Sequence, residues 1–271
     1  MAKILYGAPV AQEIRGRISE LIEPLGLRPL LAVVRAGSDA DDTAYEKGLR
    51  AVCKKCGVDV WTAELPAFVP QEVLVRAVHR VGRDEAISGV IVMCPRQYDR
   101  GLIAAAIGRD KDVDGVGFEE GGVFAPCTAE AVLELLDHYG VECAGKKVTV
   151  VGRGAVSGAP AAALLADRGA DVYVCHSKTE DPETLCRSAD ILVCTAGKAG
   201  LIGKSRLRPG QVVVDVGINP APDGTLVGDV VFSQAEEIAA AVTPVPGGVG
   251  AVTPYILALH TARAAAERRK L

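Results

Sequence analysis

An α/β protein made of two alternating strand–helix units is the fold class this sequence predicts, and three observations carry the prediction. Short apolar runs rich in β-branched residues recur along the chain and alternate with stretches of helical period. Hydrophobic residues make up 49% of the 271 positions and aromatics only 4%, so the core must be assembled from Ala, Val, Leu and Ile, as in parallel sheets covered on both faces. The segment Gly145–Thr179 reads as one strand–turn–helix–strand unit. A chain of this length is one large or two medium domains and can bury a substantial core.

Taken in order, Ala8–Ile22 is an amphipathic helix, Pro29–Arg35 (PLLAVVR) an apolar strand and Ala36–Asp42 a polar loop. Ala44–Cys56 is helical and Gly57 ends it, which places a strand at Val58–Glu64. A helix over Pro70–Val81 precedes the buried strand Gly89–Cys94 (GVIVMC), and a short helix, Leu102–Ile107, precedes Lys111–Gly115 (KDVDG). Cys127–Tyr139 is a long helix leading into the second unit. There Lys147–Val151 is a buried strand, Ala159–Arg168 an Ala-rich helix stopped by Gly169, and Asp171–Cys175 the next strand. Ile191–Thr195 and Val212–Val216 are further strands, Ala221–Gly224 a turn, Val242–Gly250 (VTPVPGGVG) a rigid glycine-containing loop, and Ala251–Lys270 the final helix.

The turn after Val151 runs through Gly152, Gly154 and Gly158. Glycines let backbone approach a pyrophosphate closely, and the following helix N-terminus offers N–H groups and partial positive charge. The spacing is GxGxxxG rather than GxGxxG, so the weight rests on its position between strand and helix. The competing reading is an ordinary α/β turn without a ligand. An NAD site often ends its second strand with an acidic residue that binds ribose hydroxyls. Here that place reads His176-Ser177-Lys178-Thr179, with Arg153 in the turn. Two cations and a hydroxyl suit a 2′-phosphate, which favours NADP over NAD; the competing reading is a pair of solvated charges.

Other function classes are disfavoured. Net charge is −4, with no dense basic run before the last residues, which argues against nucleic acid. No apolar run approaches the roughly 20 residues of a membrane span. The first residues break into charges too early for a signal peptide, which points to the cytoplasm. Cys53 and Cys56 form a CxxC without a second pair to complete a zinc site. Reduced cysteines filling an apolar core are the favoured reading, and no metal is expected.

Several short motifs, in order and nearly end to end, then carry a resemblance: Tyr45, KDVDG at Lys111–Gly115, PCT at Pro126–Thr128, Gly152-Arg153 with Gly158 and Pro160, CHSKT at Cys175–Thr179, ADIL at Ala189–Leu192, DVGIN at Asp215–Asn219, VGD at Val227–Asp229 and TPVPGGVG at Thr243–Gly250. The sequence resembles the methylenetetrahydrofolate dehydrogenase/methenyltetrahydrofolate cyclohydrolase family. The resemblance implies two α/β domains flanking a cleft, the second a Rossmann-like dinucleotide-binding domain. Residues 1–120 with the C-terminal helix 251–271 would bind folate and carry the chemistry; residues 121–250 would bind NADP, with NAD the alternative. It also implies a homodimer formed through the cofactor domain.

By the same resemblance, Asp114 anchors the pterin, whose edge offers paired N–H donors that one carboxylate accepts. Tyr45 stacks on the aminobenzoyl ring, and these two are the catalytic candidates. Pro246, Gly247 and Gly248 let backbone approach substrate. Gly152, Arg153, Gly154, Gly158, Ser177, Lys178, Thr195, Gly217 and Ile218 are the cofactor candidates. Each has a plainer reading: a capping or turn aspartate (the part expected of Asp112), a core or surface tyrosine, a tight turn.

The departures split the two activities. The family's lysine, four residues after the tyrosine, is Leu49 here; its strand-end glutamine is Met93, and a serine before the tyrosine is Asp42. Lys47 and Arg50 sit off that helix face, and arginine does not give up its proton. Hydride transfer from 5,10-methylene-tetrahydrofolate needs alignment above all, whereas hydrolysis of the methenyl bridge needs a group of tuned pKa. A dehydrogenase with weak or absent cyclohydrolase activity is therefore expected. The alternatives are the fully bifunctional enzyme, with Lys47, Arg50 or Asp42 rewired, and an inactive folate- or nucleotide-binding protein. A different dehydrogenase of the same cofactor fold leaves KDVDG and TPVPGGVG unexplained.

Overall fold

The computed structural model describes residues 1–37, 40–95, 97–119 and 121–269, and the backbone alone at 40 and 41. Part of the loop expected at Ala36–Asp42, and the last residue of the helix expected to end at Lys270, lie outside the described residues. In chain order come β1 (Lys3–Ile4), α1 (Gly7–Ile22), β2 (Leu30–Ala36), α2 (Ala40–Lys55), β3 (Asp59–Leu65), α3 (Gln71–Gly82), β4 (Gly89–Met93), α4 (Arg100–Ile107) and α5 (Cys127–His138). Then follow β5 (Lys147–Val151), α6 (Gly158–Asp167), β6 (Asp171–Cys175), α7 (Pro182–Ser188), β7 (Ile191–Cys194), β8 (Val212–Asp215), β9 (Asn219–Pro220), β10 (Leu226–Val227), α8 (Phe232–Ile238), β11 (Ala241–Val242) and α9 (Val249–Arg269).

The chain divides into two compact units. One holds Gln12–Cys127 and Pro254–Leu271, the other Met1–Ala11 and Thr128–Thr253. The first has a parallel three-stranded sheet in the order β3-β2-β4. Its central strand reads LLAVVRA, and Leu31 through Val34 have no exposed surface. That continuous apolar run is what a strand covered on both faces requires. Asp99 starts α4 by accepting from the Leu102 N–H at 3.0 Å, which lets this helix begin two residues before its apolar run.

The second unit has a six-stranded parallel sheet in the order β1-β11-β8-β7-β5-β6. The chain passes from β5 outward to β6, then returns to place β7 on the other side of β5. The reversal makes the carboxyl ends of β5 and β7 the topological switch point, where ligands of such sheets bind. The β6 bounds are those expected from sequence, and Gly169, at φ +78°, stops the helix before it. The pairs β1–β11 and β9–β10 are two residues long and are not anticipated by the sequence; β11 and the start of α9 occupy the ends of the expected loop Val242–Gly250. Strands so short have no period to read. The short helices α7 and α8 were likewise unexpected.

Seven of the eight cysteines are buried, and Cys94 is half-buried. Cys53 is wholly buried and Cys56 nearly so, and burial pushes their thiols up to about 12 and about 11. Neither thiol is activated for redox chemistry at neutral pH.

Candidate active site

Gly152 lies at the switch point, directly after β5, with φ +112°. Its N–H donates to the Cys175 carbonyl at 2.9 Å, and Thr195 N–H donates to the Val151 carbonyl at 2.7 Å, so the carboxyl ends of β5, β6 and β7 are tied together. A Cβ on Gly152 would come within 2.6 Å of Thr195, and one on Gly158 within 2.5 Å of the Gly152 carbonyl. These two glycines and Thr195 thus set how closely α6 enters the sheet. Gly154 differs: a Cβ there meets nothing within 4 Å. Arg153, Ser177 and Lys178 are exposed at the same edge. Ser177 and Lys178 lie in a tight turn, in which His176 N–H donates to Thr179 Oγ1 and Lys178 N–H to His176 Nδ1.

Two aspartates that the sequence marks only as letters of DVGIN and VGD organise the neighbouring loops. Asp229, with no exposed surface, accepts from the backbone N–H of Ala196, Gly197 and Lys198 at 2.6, 3.0 and 2.7 Å, and from Asn219 Nδ2 at 3.0 Å. Successive N–H groups of this kind form an anion-binding concavity, and here a side chain fills it. Asp215 accepts from the N–H groups of Gly217, Asp229 and Val230. Burial pushes its carboxyl up to about 6 against those hydrogen bonds. Gly217 is glycine because a Cβ would overlap the Asp229 carboxylate. The only earlier signal for this network is an Asp at the start of DVGIN and another at the end of VGD.

Gly217 and Ile218 line a cavity of about 250 Å³ together with Pro246, Gly247 and Gly248. The Gly7 N–H donates to the Gly247 carbonyl at 2.8 Å, which braces the loop from behind. The structure so gathers two of the cofactor candidates and three of the substrate candidates within one unit.

Tyr45 and Asp114 come together in the other unit. Asp114 lies within a turn in which Asp112 accepts from Val116 and Gly117 N–H at 3.0 and 2.7 Å, the turn role expected of Asp112. Burial, then the nearby Asp112, push the Asp114 carboxyl up to about 6; Arg100, a hydrogen bond from Cys127 and His260 act the other way. Tyr45 is 39% exposed, yet burial of its hydroxyl, with Asp114, Cys127 and Cys53 close by, pushes the phenol well above its usual range.

Leu49, one turn further along α2, has no exposed surface, and Met93 at the end of β4 is also buried. Arg50 points away from this face: it donates to Glu46 at 2.9 Å, to the Val60 carbonyl at 3.0 Å and to Thr62 Oγ1. Glu46 also has Arg35 Nε at 3.6 Å. Lys47 is exposed. Asp42 lies within electrostatic reach of the Cys94 thiol, raising it alongside burial while Arg100 opposes.

At the switch-point edge the space beside Gly154 is open and the exposed side chains next to it, Arg153 and Lys178, are cationic, a combination compatible with a dinucleotide phosphate.

Two family models cover nearly the whole chain: the tetrahydrofolate dehydrogenase/cyclohydrolase catalytic domain over residues 5–114, and the NAD(P)-binding domain of the same name over residues 126–269. The bifunctional protein FolD of Carboxydothermus hydrogenoformans is 40% identical over 97% of both chains. The bifunctional methylenetetrahydrofolate dehydrogenase/cyclohydrolase of Campylobacter jejuni superposes with a TM-score of 0.93 at 32% identity, covering 99% of this chain and 100% of that one. The Trypanosoma brucei dehydrogenase–cyclohydrolase, solved with NADP cofactor and inhibitor, gives a TM-score of 0.90 at 36% identity, over 99% and 98% of the two chains.

Proposed function

The chain belongs to the tetrahydrofolate dehydrogenase/cyclohydrolase family, and from that premise we propose that it is an NADP-dependent 5,10-methylenetetrahydrofolate dehydrogenase with cyclohydrolase activity weak or absent. The observation that carries the second half is Leu49, an apolar and wholly buried side chain where hydrolysis needs an acid–base group. The FolD relatives named above are called bifunctional, and the proposal for this chain differs from those names in the cyclohydrolase activity.

The roles follow from the chemistry of each group. Asp114 accepts two adjacent N–H donors of the pterin, which fixes the substrate's orientation. Tyr45 offers its ring face to the aminobenzoyl group. Arg153, Ser177 and Lys178 hold the 2′-phosphate; Gly152, Gly154 and Gly158 admit the pyrophosphate to the start of α6. Thr195, Gly217 and Ile218 flank the nicotinamide end, and Pro246–Gly248 present backbone to substrate. NADP, when bound, supplies the hydride acceptor. The folate's own nitrogens stabilise the cation that develops, so the protein contributes alignment rather than proton transfer.

Arg50, held by Glu46, Val60 and Thr62, and Lys47, two positions off the face, give the bifunctional alternative little support. One purified sample decides. Methylene-tetrahydrofolate should reduce NADP, while methenyl-tetrahydrofolate should decay no faster than it does spontaneously. Hydrolysis at a rate close to the dehydrogenase rate would falsify the proposal; NADP binding without reduction would establish the inactive reading.

Asp114 also sets a pH dependence. It accepts both N–H groups only when ionised, and its carboxyl lies at about 6 in the free protein. Above that pH the group is charged and binding is complete; as pH falls through about 6, kcat/KM for methylene-tetrahydrofolate should fall. Asp114→Asn should flatten this limb and lower kcat/KM by roughly 100-fold, the scale of one charged hydrogen-bonding partner lost. A limb unchanged in the variant assigns the titration to another group.

The partner we propose is a second copy of the chain, paired through β6. That strand is the edge of its sheet and exposes Tyr173 and Val174. An uncovered apolar edge is a template for strand addition. No helix among the described residues is long and apolar enough to cross a membrane. A solution mass of twice 28.2 kDa is expected.

A further inference from the structure

His260 lies in the middle of α9, within a run from Ile256 to Ala262 that has no exposed surface. A helix buried all round is ordinarily apolar, so a histidine there calls for a polar reason. Its Nδ1 is 2.9 Å from the carbonyl of Val113, the residue immediately before Asp114. A carbonyl only accepts, so Nδ1 carries the proton. The Cys127 thiol donates to that same carbonyl at 3.3 Å and lies 3.7 Å from Nδ1. A carbonyl oxygen has two lone pairs, so imidazole and thiol hold it together. Phe124, its ring centroid 4.8 Å from that of His260, holds the imidazole in place.

We propose that His260 is a positioning residue for folate recognition: by holding the Val113 carbonyl it fixes the backbone from which Asp114 projects and so where that carboxylate points. This rests on Asp114 being the pterin anchor. The plain alternative is a core histidine satisfied by a nearby carbonyl, with no bearing on substrate.

Two substitutions separate these. His260→Phe keeps a ring against Phe124 and removes the donor. His260→Asn keeps a donor at the position of Nδ1 and removes the ring. In equilibrium binding of tetrahydrofolate, and in KM for methylene-tetrahydrofolate, the Phe variant should be weaker by about tenfold. The Asn variant should return to within about threefold of the parent. The Kd of NADP should stay the same in both, which also reports that each variant is folded. Unchanged folate binding in the Phe variant, or equal loss in both, would overturn the proposal and leave His260 a packing residue. Should the parent bind tetrahydrofolate without reducing NADP, the dehydrogenase reading fails, while the binding comparison still tests His260.

Discussion

Asp229→Asn is expected to weaken NADP binding by roughly 100-fold and to lower stability by about 3 kcal/mol or more. Its carboxylate is the meeting point of three successive backbone N–H groups and the Asn219 amide, all within 3.0 Å and out of water. A carboxamide offers one acceptor oxygen in place of two and turns an NH₂ toward N–H groups that also donate. At least two of the four hydrogen bonds to a charged acceptor are lost, each worth about 1.5–3 kcal/mol. The damage is local in consequence, because these bonds join the loop after Thr195 to the segment holding Gly217. Both carry proposed cofactor residues. Thermal unfolding with and without NADP checks this: the variant should melt lower, and added NADP should raise its melting temperature less than it raises the parent's. A lower melting temperature with an unchanged NADP Kd would make Asp229 a general brace only. Asp223→Asn, at an exposed turn where the carboxylate accepts from Thr225, is the matched control.

Leu49→Lys with Met93→Gln is expected to raise methenyl-tetrahydrofolate hydrolysis by about 100-fold over the parent, the lower end of what a positioned acid–base group contributes. Position 49 shares its helix face with Tyr45 and has no exposed surface, so an ammonium there loses solvation and its pKa falls toward neutrality. That shift suits a general base and costs stability. Leu49→Lys alone should therefore be the less stable variant and gain less, because Met93 leaves the new cation among apolar neighbours. Dehydrogenase kcat should stay within a few-fold of the parent in the double variant. A folded, folate-binding double variant that hydrolyses no faster than the parent would show that position 49 is not where hydrolysis was lost.

Legibility in the sequence tracks the range of the interaction. The apolar runs at β2, β4 and β5 were readable because a strand buried on both faces spells its environment locally. The glycine turn was readable for a related reason: strand, turn and helix are contiguous, and Gly152 has to adopt a φ that other residues avoid. The pairing of β1 with β11 was not, since two residues carry no period and their partners lie at opposite ends of the chain. The role of Asp229 was hidden for the same reason. Its acceptors' donors sit about thirty residues upstream, and no local pattern announces them.

By itself, then, the sequence determined the α/β class, the family, the place of the glycine turn and the presence of Leu49 on the Tyr45 helix face. Each of these is written in adjacent residues or in one helical turn. Tertiary structure alone decided that Leu49 is wholly enclosed, that Arg50 is engaged elsewhere, and that Asp229 occupies the anion-binding concavity after β7. It alone brought His260 to the Val113 carbonyl, from 147 positions away in the chain. The physical reason is common to them: desolvation and hydrogen bonding depend on what surrounds a group in space, and for these groups the surroundings come from distant parts of the chain.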